Sequence, residues 1–240
     1  MAHTTNTPAA HKTTTFNLLI IDESGSMSGL EQQTISGCNE TLTGARALQR
    51  QHADSQRSLA SIYMFQSGSS VPSRYIVKNK PVLEVPQITS RDYTPCGCTP
   101  LLDAIGTTLT DLEAVASTHE DAHAIVTIIT DGYENSSTEY SWRQVADIIN
   151  RLKELGWTFN FIGANIDVNA VASKINIDNR MAFTSDTEGT AKMWTKYNKA
   201  RYDFENERIH NESRISSDDM ESRRIYRRKA SKGFFGKGKE

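Results

Sequence analysis

The sequence predicts an α/β fold in which a largely parallel sheet is covered by helices. Two nearly continuous apolar runs, Phe16–Asp22 (FNLLIID) and Ala124–Asp131 (AIVTIITD), each end in a carboxylate. Short runs rich in Ile and Val are the buried strands of parallel sheets. Segments with apolar residues three and four apart lie between such runs, and this alternation belongs to α/β proteins.

Residues 1–15 hold six Thr, two His and one Pro without periodicity. They read as a disordered leader, with no apolar stretch that would make a secretory signal. After the first strand, Leu30 to Arg50 places Ile35, Cys38, Leu42, Ala45 and Leu48 on one helical face. Leu59–Phe65 reads as a strand. Tyr75–Val77 and Val82–Val85, around Asn79-Lys80-Pro81, read as a hairpin or an edge strand. Pro100 to Val115 is helical, with Thr99 as its expected cap and Pro100 in the first turn. Ser141 to Leu155 is a helix closed by Gly156, and Trp157–Gly163 is a further strand. Val168–Ile175 and Glu188–Phe204 are the last helices of a domain expected over residues 16–205. Residues 206–240 are expected to form a disordered basic tail, with a short helix around Asp218–Lys229 suited by acids at its start and bases at its end.

The 27 Lys and Arg against 29 Asp and Glu give a net charge of -2 over 240 residues, so no overall field attracts nucleic acid. Eight basic residues and no acid fall within 222–239. With Tyr226, Phe234 and Phe235 they offer a possible contact to nucleic acid or an anionic surface; the plainer expectation is a solvated tail. Three cysteines are too few for a disulfide framework, which favours a reducing, cytoplasmic setting. No run approaches the ~18 apolar residues of a spanning helix.

The chemistry gathers at strand ends. The first strand closes in Asp22-Glu23-Ser24-Gly25-Ser26, a carboxylate and two hydroxyls at alternate positions. The strand ending at Asp131 is followed by Gly132. Ligands of open parallel sheets collect at the carboxyl ends of strands, where strand order reverses. If these two strands flank that reversal, Asp22 and Asp131 converge, and Thr99 joins them from the start of its helix. Two carboxylates and three hydroxyls make an all-oxygen set suited to Mg²⁺ first, then Mn²⁺ or Ca²⁺.

These segments resemble a von Willebrand factor A domain with an intact metal-ion-dependent adhesion site (MIDAS). The family's D-x-S-x-S is matched by Asp22, Ser24 and Ser26. Its Thr before a helix is matched by Thr99, and its Asp-Gly after the fourth strand by Asp131-Gly132. The resemblance covers about residues 16–200. It is closest to a bacterial and phage branch of cytosolic A domains, on the Thr130–Ser137 run (TDGYENSS) and the Gly156–Asn165 run (GWTFNFIGAN). It implies a Rossmann-like, doubly wound, mostly parallel sheet with one antiparallel edge strand and helices on both faces. It also implies that Asp22, Ser24, Ser26, Thr99 and Asp131 hold the metal directly or through water. A partner protein's acidic side chain would complete the coordination. The expectation is therefore a non-enzymatic, metal-dependent protein-binding module.

Other readings stand beside this one. Asp22, Ser24 and Ser26 alone could be an Asx turn or a cap. Glu23, Asp103 and Glu134 sit near the site; Glu23 and Glu134 read first as solvated surface acids, with a supporting role behind the metal ligands as the alternative, and Cys96 and Cys98 read as small helix-entry residues. His119-Glu120-Asp121-Ala122-His123 is formally H-E-x-x-H, the zinc-peptidase pattern. The strand that follows it takes His123 off any helix, so a zinc-dependent hydrolase is the weaker alternative. Ser24 stands where a phosphoaspartyl transferase needs a second Asp, and neither a G-x-S-x-G elbow nor a phosphate-binding loop is present.

Overall fold

The computed structural model describes residues 12–68 and 70–236. Six strands form one sheet: β1 (Thr13–Asp22), β2 (Gln56–Phe65), β3 (Arg74–Pro81), β4 (Ala122–Thr130), β5 (Thr158–Gly163) and β6 (Asn179–Ala182). Their order is β3-β2-β1-β4-β5-β6. All neighbours are parallel except β3, which runs antiparallel to β2 at the edge. The expected architecture of helices on both faces is the one observed. Strand order reverses between β1 and β4, because the chain leaves β1 toward β2 and β3 and returns to β4 on the other side.

Among the described residues six α-helices cover the sheet: α1 (Glu31–Gln51), α2 (Leu101–Ala116), α3 (Trp142–Glu154), α4 (Val168–Lys174), α5 (Thr187–Glu212) and α6 (Met220–Ser231), with short 3-10 turns at Gly25–Met27 and at Val82–Glu84, the latter where a strand was expected. β1 is buried along its whole length and divides its side chains between two cores. Phe16, Leu18 and Ile20 join Leu101, Ile105 and Leu109 of α2 and Val145 and Ile149 of α3. Leu19 and Ile21 join Cys38 and Leu42 of α1 and Trp194 and Tyr197 of α5. Period-two alternation with both sides apolar is what made this strand read as a continuous run. On the second face α1 and α5 approach so closely that a Cβ on Gly37 would lie 2.0 Å from the Trp194 ring.

The structure corrects the expectation at both ends of the chain. Of the expected leader, residues 1–11 lie outside the described residues, but Thr13–Thr15 are buried in β1. The expected boundary at 205 falls inside α5, and the expected tail is α6 packed against the fold. The reason is a buried ion network at the amino ends of the strands. Arg223 Nη1 and Thr13 Oγ1 both donate to Asp121 Oδ2 at 2.7 Å. Arg227 pairs with Asp121 at 2.8 Å and donates to Glu212 through Nε at 2.7 Å. Arg208 donates to Glu205 and Glu212, each at 2.8 Å, and to Thr15 Oγ1 at 3.0 Å. Arg208 and Arg227 are only 1 % exposed.

Two of the eight tail cations are thus consumed inside the fold, and a third, Arg228, pairs with Glu154. Arg224, Lys229 and Lys232 remain exposed, while Lys237 and Lys239 lie outside the described residues. The eight cations therefore do not stand as one solvated run, since three of them are paired within the fold. The expected helix near 218–229 is α6, capped where Asp219 accepts from Ser222 N at 3.0 Å.

Removing one member of this network strands the charges opposite it. Arg227→Met should lower stability by about 3–5 kcal/mol, because breaking a buried pair leaves an uncompensated charge. Truncation after residue 205 should prevent folding. Urea denaturation followed by circular dichroism measures both, and a wild-type midpoint in either variant would contradict the assignment.

The network also predicts acid lability. His123 is fully buried, with its Nδ1 3.2 Å from Gly156 O. Burial, then the charges of Arg208 and Arg227, hold its pKa well below 6.5 against a smaller opposing pull from Asp121. The unfolded chain takes up this proton near pH 6.5 and the folded chain does not, so stability falls as pH drops through that value. Burial raises the Glu212 pKa, but Arg208 and Arg227 outweigh it and keep that pKa below 4.5, adding a second loss at lower pH. Between pH 7.5 and 5.5 the Tm of wild type should fall relative to that of His123→Gln, the comparison isolating this proton from the other groups that titrate in the window. An undiminished slope in that variant would place the proton elsewhere.

Candidate metal centre

Asp22 ends β1 and Asp131 follows β4, so the pairing of these two parallel strands brings the carboxylates together. Asp22 is fully buried. Its Oδ1 accepts from Ser24 N at 2.7 Å and its Oδ2 from Thr130 Oγ1 at 2.6 Å. Ser24 Oγ and Ser26 Oγ are 3.1 Å apart. Ser26 Oγ donates to Asp131 Oδ1 at 2.5 Å, and Ser185 Oγ donates to Asp131 Oδ2 at 2.9 Å. Thr99 arrives from the entry to α2. A Cβ placed on Gly132 would lie 3.1 Å from Thr99 Oγ1, 3.6 Å from Ser26 Oγ and 3.9 Å from Asp22 Oδ2. Gly132 therefore borders a space lined by oxygens from three separate segments. All five expected residues are brought to one crevice.

The electrostatics suit a cation. Burial, opposed by hydrogen bonds from Ser24 and Thr130 and reinforced by the Asp131 charge, pushes the Asp22 pKa up to about 6. Among the described residues neither Asp22 nor Asp131 forms an ion pair with Lys or Arg. A divalent ion would relieve both the desolvation and the repulsion, and the donor set contains only oxygen, as a hard cation prefers.

Several acids take roles their local sequence did not announce. Glu23 is fully buried against Arg74, with Nη1–Oε2 at 2.5 Å, and is not a solvated surface acid. Glu134 receives Ser136 N, Ser137 N and Leu102 N at 2.7–2.9 Å, so it braces its own loop and caps α2. Thr99 is not that cap: Pro100 holds the cap position, without a side-chain bond. Thr99 is instead clasped by Asn135, whose Oδ1 accepts Thr99 N at 2.8 Å and whose N donates to Thr99 O at 3.2 Å. The run after Asp131 thus acts by fixing Thr99 and α2. Thr130 and Ser185 were missed. Thr130 was within reach, as the hydroxyl beside Asp131, whereas no motif marks Ser185.

His119 and His123 do not share a helix. His119 lies in the turn after α2, edge-on to Phe16 at 5.2 Å between ring centroids, and His123 is inside β4. No group of three or more His, Cys, Asp or Glu placed to hold a metal occurs among the described residues. Any cation at Asp22 and Asp131 must therefore draw on the hydroxyls. Cys96 and Cys98 are exposed and free.

No family model and no curated protein matches the sequence. Solved structures do match in shape. The SpRpn10 VWA domain aligns over 75% of this chain and 93% of its own, with 6% identity and a TM-score of 0.50. The pilus adhesin SpaC from Lactobacillus rhamnosus GG aligns over 78% of this chain, with 12% identity and a TM-score of 0.58. Proximal thread matrix protein 1 from the mussel byssus, with a zinc occupied MIDAS motif, aligns over 80%, with 13% identity and a TM-score of 0.52. The match spans 30% of the SpaC chain and 46% of the byssus protein chain. At such identities the likeness is one of fold, and the fold is that of a von Willebrand factor A domain.

Proposed function

We propose that this chain is a metal-dependent protein-binding module. Asp22, Ser24, Ser26, Thr99 and Asp131 would hold a divalent cation, Mg²⁺ or Mn²⁺ before Ca²⁺, directly or through water. A partner's Asp or Glu would complete it. The observation that carries this reading is the pair of buried carboxylates without a cationic side chain, converging with three hydroxyls around Gly132. Neutral Ser and Thr ligands leave two carboxylates at most to balance one divalent charge. A further anionic oxygen then binds by a charge-assisted contact in a crevice partly shielded from water.

Two features favour a protein as the partner. Tyr133, one residue beyond Gly132, is 55 % exposed, and its hydroxyl is fixed by Asp167 N at 2.9 Å. A pre-oriented exposed aromatic is the kind of group that interfaces enrich. None of the six His falls in the site segments, so the nearest base suited to activating a nucleophile is absent from them, and binding is the better reading than hydrolysis. Among the described residues no helix is long and apolar enough to cross a membrane. Separately, the three cysteines, free among the described residues, support a reducing, cytoplasmic setting.

Calorimetry with Mn²⁺ or Mg²⁺ tests the site. Wild type should bind, and Asp22→Asn, which keeps the shape and the acceptor oxygen, should lose most of that affinity. Wild-type Tm should rise with the metal and fall in EDTA, as a ligand at a hundredfold excess over Kd stabilises by about 2.7 kcal/mol. A partner captured from the native host should be released by EDTA. Equal affinity in the variant, or a Tm indifferent to metal, would end this proposal.

Gly132→Ala gives a steric version of the same test. The added methyl would sit 3.1 Å from Thr99 Oγ1, inside the ligand space but not in the apolar core. Metal affinity should drop while the melting curve in EDTA stays within a few degrees of wild type. Unchanged affinity would move the ion away from Gly132.

A further inference from the structure

We propose that Glu23 and Arg74 form a positioning clamp for the metal centre, fixing residues 92–98 so that Thr99 is presented to the cation. This inference rests on the metal-binding reading above. Glu23 lies within the D-x-S-x-S segment, yet its carboxylate is spent elsewhere. Oε1 accepts from Thr94 N at 2.6 Å and from Arg74 Nη2 at 3.1 Å. Oε2 accepts from Arg74 Nη1 at 2.5 Å and from Gln66 Nε2 at 3.2 Å. Arg74 Nη2 also donates to Asp92 O at 3.1 Å. One ion pair thus joins the end of β1, the start of β3 and the segment leading to α2.

That segment is hung on the end of β1 throughout. Tyr93 hydroxyl donates to Asp22 O at 2.8 Å, and Cys96 N donates to Glu23 O at 2.8 Å. Gly25 N donates to Gly97 O at 3.1 Å, while Cys98 and Ser67 exchange backbone bonds at 2.8 and 3.1 Å. Thr99 is the next residue. Asp22 ends β1, Asp131 follows β4, and Ser24 and Ser26 lie at the cap of and inside the short 3-10 turn after β1, but Thr99 depends on this segment and on Asn135 for its place.

A bidentate guanidinium–carboxylate pair constrains direction as well as distance. Glu23 is fully buried, and the Arg74 side chain is 28 % exposed, so the pair is largely shielded from screening. If it served stability alone, its loss would lower Tm without touching metal affinity. If it places Thr99, its loss must act on the metal and must do so through Thr99.

The experiment is a Mn²⁺ titration of the full chain, followed by electron paramagnetic resonance, at a temperature where circular dichroism shows every variant folded. The set is wild type, Arg74→Met, Arg74→Lys, Thr99→Ala and the Arg74→Met/Thr99→Ala double variant. Arg151→Met, which breaks the exposed pair between Arg151 and Glu113, serves as control. Arg74→Met should weaken Mn²⁺ about tenfold, the range typical when a group that orients a metal ligand is lost. Arg74→Lys, which keeps the charge but not the fork, should recover part of that affinity and is the variant less at risk of misfolding. The double variant should bind no more weakly than Thr99→Ala alone. Wild-type affinity in Arg74→Met, or losses that simply add in the double variant, would overturn the clamp while leaving the metal centre standing. A wild type that does not bind Mn²⁺ would overturn both.

Discussion

The pairing of β1 with β4 is the constraint on which the rest depends. Two parallel strands in register, with Ile20 beside Ile128 and Ile21 beside Ile129, must end at the same level. A carboxylate at each end is therefore forced against its neighbour. Nothing in local sequence around Asp22 encodes the proximity of Asp131, 109 positions later. It follows from the burial of both strands on both faces, because a slip of one residue would send every apolar side chain to the wrong core. The register that the core demands is the register that builds the crevice.

The two ends of the sheet handle buried charge in opposite ways. At the amino ends Asp121, Glu205 and Glu212 meet Arg208, Arg223 and Arg227, each acid within 2.8 Å of a guanidinium. At the carboxyl ends Glu23 is paired with Arg74, but Asp22 and Asp131 have only hydroxyls and backbone amides. Burying a carboxylate without a counter-charge costs several kcal/mol unless it is neutralised. A chain that balances its other buried acids so completely, and leaves these two unbalanced, offers a cation its place there. The elevated Asp22 pKa is the electrostatic signature of that imbalance.

What was legible in the sequence depended on range. Five of the six strands, the order of the helices and the segments bearing the five oxygens were legible, because apolar periodicity and the short D-x-S-x-S and D-G segments are local signals. β6 was not, because its four residues, NRMA, carry no apolar run, and Val82–Val85 read as strand where a 3-10 turn forms. The misread charges share one cause. Glu23 read as solvated because its partner Arg74 lies 51 residues away on an edge strand. Arg223 and Arg227 read as tail because Asp121 lies about a hundred residues earlier. In each case local composition registered a charge and could not register its partner. The length of α5 was underestimated for the same reason. Its second half carries Glu205, Arg208 and Glu212, polar in sequence and buried in the fold.

The same distinction between local and long-range support divides the metal centre itself. Asp22 and Asp131 are carried by the ends of central strands, whose two faces are both packed, while Ser24 and Ser26 follow in the 3-10 turn Gly25–Met27 and its cap. Thr99 is carried by a turn whose position is set by hydrogen bonds to Asn135, to the backbone of residues 22–25 and, through Thr94, to Glu23. Packing holds the two carboxylates. Hydrogen bonds hold Thr99, and the Gly25–Met27 turn shares them through the bond from Gly25 N to Gly97 O. A cation that reaches all five must therefore stabilise one arrangement of the α2 entry over others. By linkage, anything that holds that arrangement must strengthen the cation in equal measure. Thr99 also lies just before the helix whose first turn is capped by Glu134, in the loop that presents Tyr133. The candidate site, the helix and the exposed aromatic are thus joined by short bonded paths.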